Sequence, residues 1–179
     1  MDIIELAEQN QQNAWKLLDE TGIIPAWERI GATVHLVGSL KSGLLMKSRD
    51  IDLHIYTGKL DITESFSVMQ ELAERLKLKE IQYKNLVHTE EECIEWHALY
   101  EDQELHTWKF DLIHSRKGSK YDGVVENVTA AIAKLLTPGL RETILRIKYE
   151  VPDGYDSAEA FLTELCEKGF GEKYICCGE

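Results

Sequence analysis

No run in this 179-residue chain approaches the roughly eighteen apolar residues that a membrane span needs, although its hydrophobic share of 44% is ordinary for a globular protein. The Met1-Asp2-Ile3-Ile4-Glu5 start lacks the basic region and apolar stretch of a signal peptide. The expectation is therefore a cytoplasmic chain with no membrane partner. Cysteine is scarce and badly spaced for metal. The four, at 93, 166, 176 and 177, show no ligand pattern, and the adjacent Cys176-Cys177 pair is too strained for a routine disulfide, so all four read as free thiols. Basic residues are outnumbered, 20 Lys and Arg against 32 Asp and Glu, for a formal charge of −12. That balance opposes tight sequence-independent binding to nucleic acid, whose affinity comes mainly from cations neutralising phosphates. It favours a small or cationic partner, while leaving room for a local basic groove.

Repeats, low-complexity tracts and long linkers are also missing, and the length fits one domain with a small helical annex. Residues 2 to 21 have helical spacing, with Ile4, Ala7, Ala14, Leu17 and Leu18 on one face and Gly22 as the stop. Pro25 opens a short helical turn in which Trp27 is expected in the core. Two strand-like runs follow, Thr33 to Val37 and Ile51 to Tyr56. Asp61-Ile62-Thr63-Glu64 then resembles a capping sequence for a helix to about Lys77, with Phe66, Met69, Leu72, Ala73 and Leu76 as its stripe. Three more strand-like runs, near Glu80 to Val87, Cys93 to Tyr100 and Leu105 to His114, suggest an antiparallel meander. From Tyr121 the spacing of Val124, Val125, Val128, Ala131, Ile132 and Leu135 is helical. A second helix runs from Leu140 to Val151, and a third, capped by Asp156 or Ser157, extends to Lys168.

The stretch with chemistry in it is Val37-Gly38-Ser39, ten intervening residues, then Asp50-Ile51-Asp52-Leu53. Side chains alternate along a strand, so Asp50 and Asp52 share one face while Ile51 and Leu53 point into a core. Two carboxylates held side by side repel, and a shared hard cation such as magnesium relieves that repulsion. The Gly38-Ser39 turn suits a phosphate: glycine permits close approach, and the following N–H groups and the Ser39 hydroxyl can donate to it.

Gly38-Ser39, the ten-residue spacer and Asp50-Ile51-Asp52-Leu53 resemble the signature of the nucleotidyltransferase superfamily, the polymerase-beta-like fold. The resemblance is strong over about twenty residues. It implies an α+β fold, a mixed or largely antiparallel sheet backed by helices, with residues 1–120 as the core and 121–179 as a helical annex. It also implies a third carboxylate on a later strand, for which Asp111 in Trp108-Lys109-Phe110-Asp111-Leu112 fits; Thr107, Lys109 and Asp111 share a face there. In that family arrangement Asp50, Asp52 and Asp111 hold two magnesium ions, with manganese as a substitute, and Asp111 assists deprotonation of the acceptor. A nucleoside triphosphate, ATP by default, lies against Gly38 and Ser39.

Softer candidates are Lys47 and Arg49, with Lys41, as phosphate contacts in the loop, and Arg141 and Lys148 in the annex; the alternative for each is a solvated cation. His54, Glu95 and His97 are expected on the open side of the sheet. The expected reaction is nucleotidyl transfer to a hydroxyl of a small acceptor. In size and charge the chain resembles the antibiotic nucleotidyltransferases that modify aminoglycosides or lincosamides, a resemblance that allows a homodimer. Two other readings fit the sequence. One is a binding module of the same fold, antitoxin-like, that has lost turnover; the other is an unrelated metal-dependent phosphoester hydrolase in which Ser39 has no role.

Overall fold

The computed structural model describes residues 2–151, and within them the polar-apolar alternation of five strands dictates the architecture. The strands are β1 (Thr33–Val37), β2 (Asp50–Thr57), β3 (Glu80–Asn85), β4 (Cys93–Glu101) and β5 (Thr107–Arg116). They form one mixed sheet in the order β1-β2-β5-β4-β3. Only the β2–β5 pair is parallel; the other neighbours are antiparallel. A parallel neighbour cannot be reached by a tight turn. The chain leaves β2 through the helix α4 (Ile62–Leu76), lays down β3 and β4, and returns as β5. The α+β class and the β3-β4-β5 meander expected from the sequence are both present.

One face of the sheet is the core. Ile51, Leu53, Ile55, Trp96, Phe110 and Leu112 are almost fully buried there, against the helices α1 (Ile3–Thr21) and α2 (Ile23–Glu28) and against α4. Each such side chain stabilises the fold by about 1.5–3 kcal/mol relative to exposure. A chain of polar side chains is paired inside this layer: Ser65 accepts from the Trp96 indole and meets His114, whose other ring nitrogen meets the Thr57 hydroxyl. Trp27 is buried as expected, edge-on to His114.

Local chemistry sets the ends of the elements. Asp2 and Asp61 accept backbone N–H groups at the starts of α1 and α4, and Gly22 ends α1 in the left-handed conformation. The last strand begins two residues later than its apolar run suggests. Asp102 gathers the N–H groups of Glu104 and His106 on its carboxylate and that of Leu105 on its carbonyl, so the chain turns through an exposed Leu105 first.

The other face carries Asp50, Asp52, His54, His97 and Asp111, and helices cover only part of it. A short helix, α3 (Gly38–Ser42), follows β1 directly, and α5 (Val124–Leu135) packs on β1 and α3. The apolar stripe read into α5 is not its inward side among the described residues. Glu126 and Thr129 turn toward the body, Glu126 meeting Tyr56 and His54, while Val128 and Leu135 are 54% and 73% exposed. Finally α6 (Pro138–Glu150) starts with Pro138 in its first turn, capped by Thr137, and lies along α1. Its Leu145 is buried in a small cluster with Ala7, Leu44 and Met46. The helix expected to end at Lys168, and Cys166, Cys176 and Cys177, lie outside the described residues.

Candidate active site

Strand register brings the predicted acids together. Asp50 and Asp52 sit two apart on β2, on the open face, and the parallel pairing puts Asp111 of β5 directly beside Asp52 and Lys109 directly beside Asp50. Adjacent strands lie about 4.8 Å apart, so these charges act on one another strongly. Burial raises the Asp52 carboxyl to about 6, and repulsion from Asp111 and Asp50 adds to that. Asp50 is also raised, by burial first, with Lys109 opposing and Asp111 reinforcing the shift.

Gly38 is needed for a reason that the sequence did not reveal. It has φ +68°, and a Cβ there would lie 2.2 Å from Oδ2 of Asp52. The glycine makes room for the carboxylate as much as for any ligand. Val37 is the register partner of Asp52, so the end of β1 delivers the Gly38-Ser39 bend straight onto the acids.

Lys148 completes this corner from α6. Its Nζ donates to Oγ of Ser39 at 2.8 Å and to the Leu44 carbonyl at 2.9 Å. Burial lowers its pKa, while the fields of Asp50 and Asp52 favour its charged form. The two loop cations expected at the phosphate are directed elsewhere. Lys47 donates to the Val151 carbonyl, and the Arg49 guanidinium lies 5.9 Å from the centre of the Trp108 ring. Arg141 holds the Gly43 carbonyl at 3.0 Å, which pins α6 to the loop after α3.

Asp111 has both oxygens engaged. Oδ1 accepts from Nδ1 of His97, its register partner on β4, and Oδ2 lies 3.1 Å from Nζ of Lys109. His97 in turn faces Glu95 at 3.5 Å, and Glu95 pairs with Lys84 at 3.0 Å. Of the soft candidates, His97 and Glu95 therefore belong to the surroundings of Asp111, whereas His54 is turned to Glu126 at 3.3 Å. Among the described residues no group of three His, Cys, Asp or Glu side chains is placed to hold a metal ion as it stands. Of the three carboxylates expected to share metal, Asp111 meets His97 and Lys109 in this structure. Asp50 and Asp52 fit a hard divalent cation by donor type and by the repulsion such an ion would relieve. His97 and Lys109 were legible as residues on Asp111's face, but which of them touches it depends on strand order.

No protein-family model and no curated protein matches the chain. Among solved structures, it is similar to the Cid1 poly(U) polymerase in an H336N mutant bound to MgATP, at TM-score 0.60 and 17% identity over 79% of this chain and 42% of that one. It is also similar to the GLD-2/RNP-8 complex, at TM-score 0.57 and 14% identity over 79% and 48%. A third similar structure is the non-canonical poly(A) polymerase complex GLD-2–GLD-3, at TM-score 0.51 and 14% identity over 70% and 38%. The chain spans less than half the length of these structures. The likeness shows the fold of this chain: it is that of the nucleotidyltransferases.

Proposed function

We propose that this protein is a magnesium-dependent nucleotidyltransferase that moves a nucleoside monophosphate from a nucleoside triphosphate, ATP by default, to a hydroxyl of a small acceptor. The observation that carries the reading is the junction of Gly38, Asp52 and Lys148. A backbone with no room for a side chain sits on a carboxylate of raised pKa, beside a partly buried ammonium hydrogen-bonded to Ser39. Phosphoryl transfer asks the protein for charge neutralisation and alignment more than for covalent chemistry.

In this reading Lys148 and Ser39 bind the polyphosphate tail and orient the departing pyrophosphate, so Lys148 takes the part that the sequence offered to Lys47 and Arg49. Asp50 and Asp52 hold the metal, whose contribution when bound is to neutralise the developing charge on the reacting phosphate. Asp111, on the next strand, faces the acceptor and orients its hydroxyl. Because Lys148 lies on α6 and reaches Ser39, the segment after 120 contributes to the site, which supports reading it as an annex of the core and not as a separate functional unit. The charge of −12 supports a small, even cationic, acceptor. A second reading, an RNA 3′ end, is favoured by the likeness to Cid1, one structure of which is described by its RNA terminal uridylyl transferase activity.

The test is pyrophosphate release from each of the four ribonucleoside triphosphates with magnesium, in the presence of an aminoglycoside or of a short single-stranded RNA. Release that requires magnesium and the aminoglycoside, and that falls at least 100-fold in Asp52→Asn and about tenfold in Lys148→Met, is the expected result. RNA lengthening would favour the second reading. Absence of any magnesium-dependent triphosphate binding would refute both.

A further inference from the structure

The geometry points to a site that takes one divalent cation, with the Lys109 ammonium standing where a second would be shared with Asp111. This inference deepens the transferase reading and rests on it. A second ion shared with Asp111 would have to approach an oxygen that already has a partner: His97 donates to Oδ1, and Lys109 is 3.1 Å from Oδ2. Both partners are part of the fold and not passing surface charges. His97 is the cross-strand partner of Asp111 and is braced by Glu95, itself held by Lys84. Lys109 is the strand neighbour of Asp50 and shares the face of Asp111, so its charge acts on all three acids at once.

An ammonium and a divalent ion on one carboxylate repel each other, so a cation arriving at Asp111 would have to expel Lys109. Lys109 also acts on Asp50 and Asp52 through its field, but its ammonium is in contact with Asp111, so Asp50 and Asp52 remain the place for the single ion. The positive charge needed near the acceptor is then a fixed part of the chain. Lys109 acts by position, holding Asp111 turned toward the acceptor side while supplying the charge that the second ion would otherwise bring.

The test is ion counting. Manganese retained per chain is measured by the electron paramagnetic resonance of the free ion, with one equivalent of α,β-methylene ATP present. The expected result is one manganese per chain in the wild type and in Lys109→Arg, two in Lys109→Met and Lys109→Gln, and none in Asp52→Asn. Lys109 is half-exposed, so both neutral variants should fold, and melting curves check this. Two ions in the wild type, or one in both neutral variants, would overturn the inference and leave the transferase reading intact. No manganese binding by the wild type, with or without the nucleotide analogue, would overturn both.

Discussion

Replacing Asp52 by asparagine should make the protein more stable and at the same time useless as a cation site. Asp52 keeps its proton up to about pH 6 in the fold, whereas an unfolded aspartate releases it near 3.8. The folded pKa is raised, so the folded state binds the proton more tightly. Stability from this group is fully present below about 3.8, is lost as pH rises from there to about 6, and stays lost above. A gap of about two pH units corresponds to about 3 kcal/mol, an upper value because the side chain is not wholly buried. Asp52→Asn has nothing to ionise. At pH 7.5 it should exceed the wild type by up to about 3 kcal/mol, or about 6–12 °C in melting temperature for a chain of this size. By pH 4 the two should converge. Calorimetric melts from pH 4 to 8, each with and without magnesium and a non-hydrolysable ATP analogue, separate the two halves of the claim. The wild type should gain stability on adding the pair, in proportion to the logarithm of ligand over Kd, and the variant should gain little. A variant that melts below the wild type at pH 7.5, or that keeps the full ligand-dependent gain, would refute the reasoning.

Two further expectations concern other positions. Gly38→Ala would place a methyl on the Asp52 carboxylate in a backbone of positive φ, and should cost about 1–3 kcal/mol in a denaturant melt and weaken nucleotide binding at least tenfold by calorimetry. His114 is fully enclosed, and burial lowers its pKa from 6.5 to about 4. With the folded pKa depressed, its contribution is present above about 6.5 and is lost as pH falls toward 4. Urea melts of the wild type should therefore lose up to about 3 kcal/mol across that window, and His114→Asn should show a flatter profile, though with a lower plateau because Thr57 and Ser65 lose a partner.

The strands and the motif were legible because their signals are local. Alternation along β2 separates Asp50 and Asp52 from Ile51 and Leu53, and Asp61 announces α4 by capping chemistry confined to four residues. The α5 helix was legible as a helix but not in its orientation. Among the described residues Glu126 turns inward to Tyr56 and His54, residues no window around α5 contains. Lys47 and Arg49 are near the acids in sequence, and nearness in sequence within a loop says little about where a long side chain ends.

The amino-acid sequence by itself determined the strands and helices and the bend followed by paired acids, since each depends on periodicity or spacing within a few residues, while the candidate third acid was what the family resemblance implied. Only the tertiary structure decided which charges meet. Parallel pairing of β2 with β5 across the intervening α4, β3 and β4 puts Lys109 and Asp111 against Asp50 and Asp52. Packing of α6 on α1 carries Lys148 to Ser39, 109 positions earlier in the chain. Register and helix docking are settled by burial summed over the whole core, and no short stretch of the chain encodes that sum.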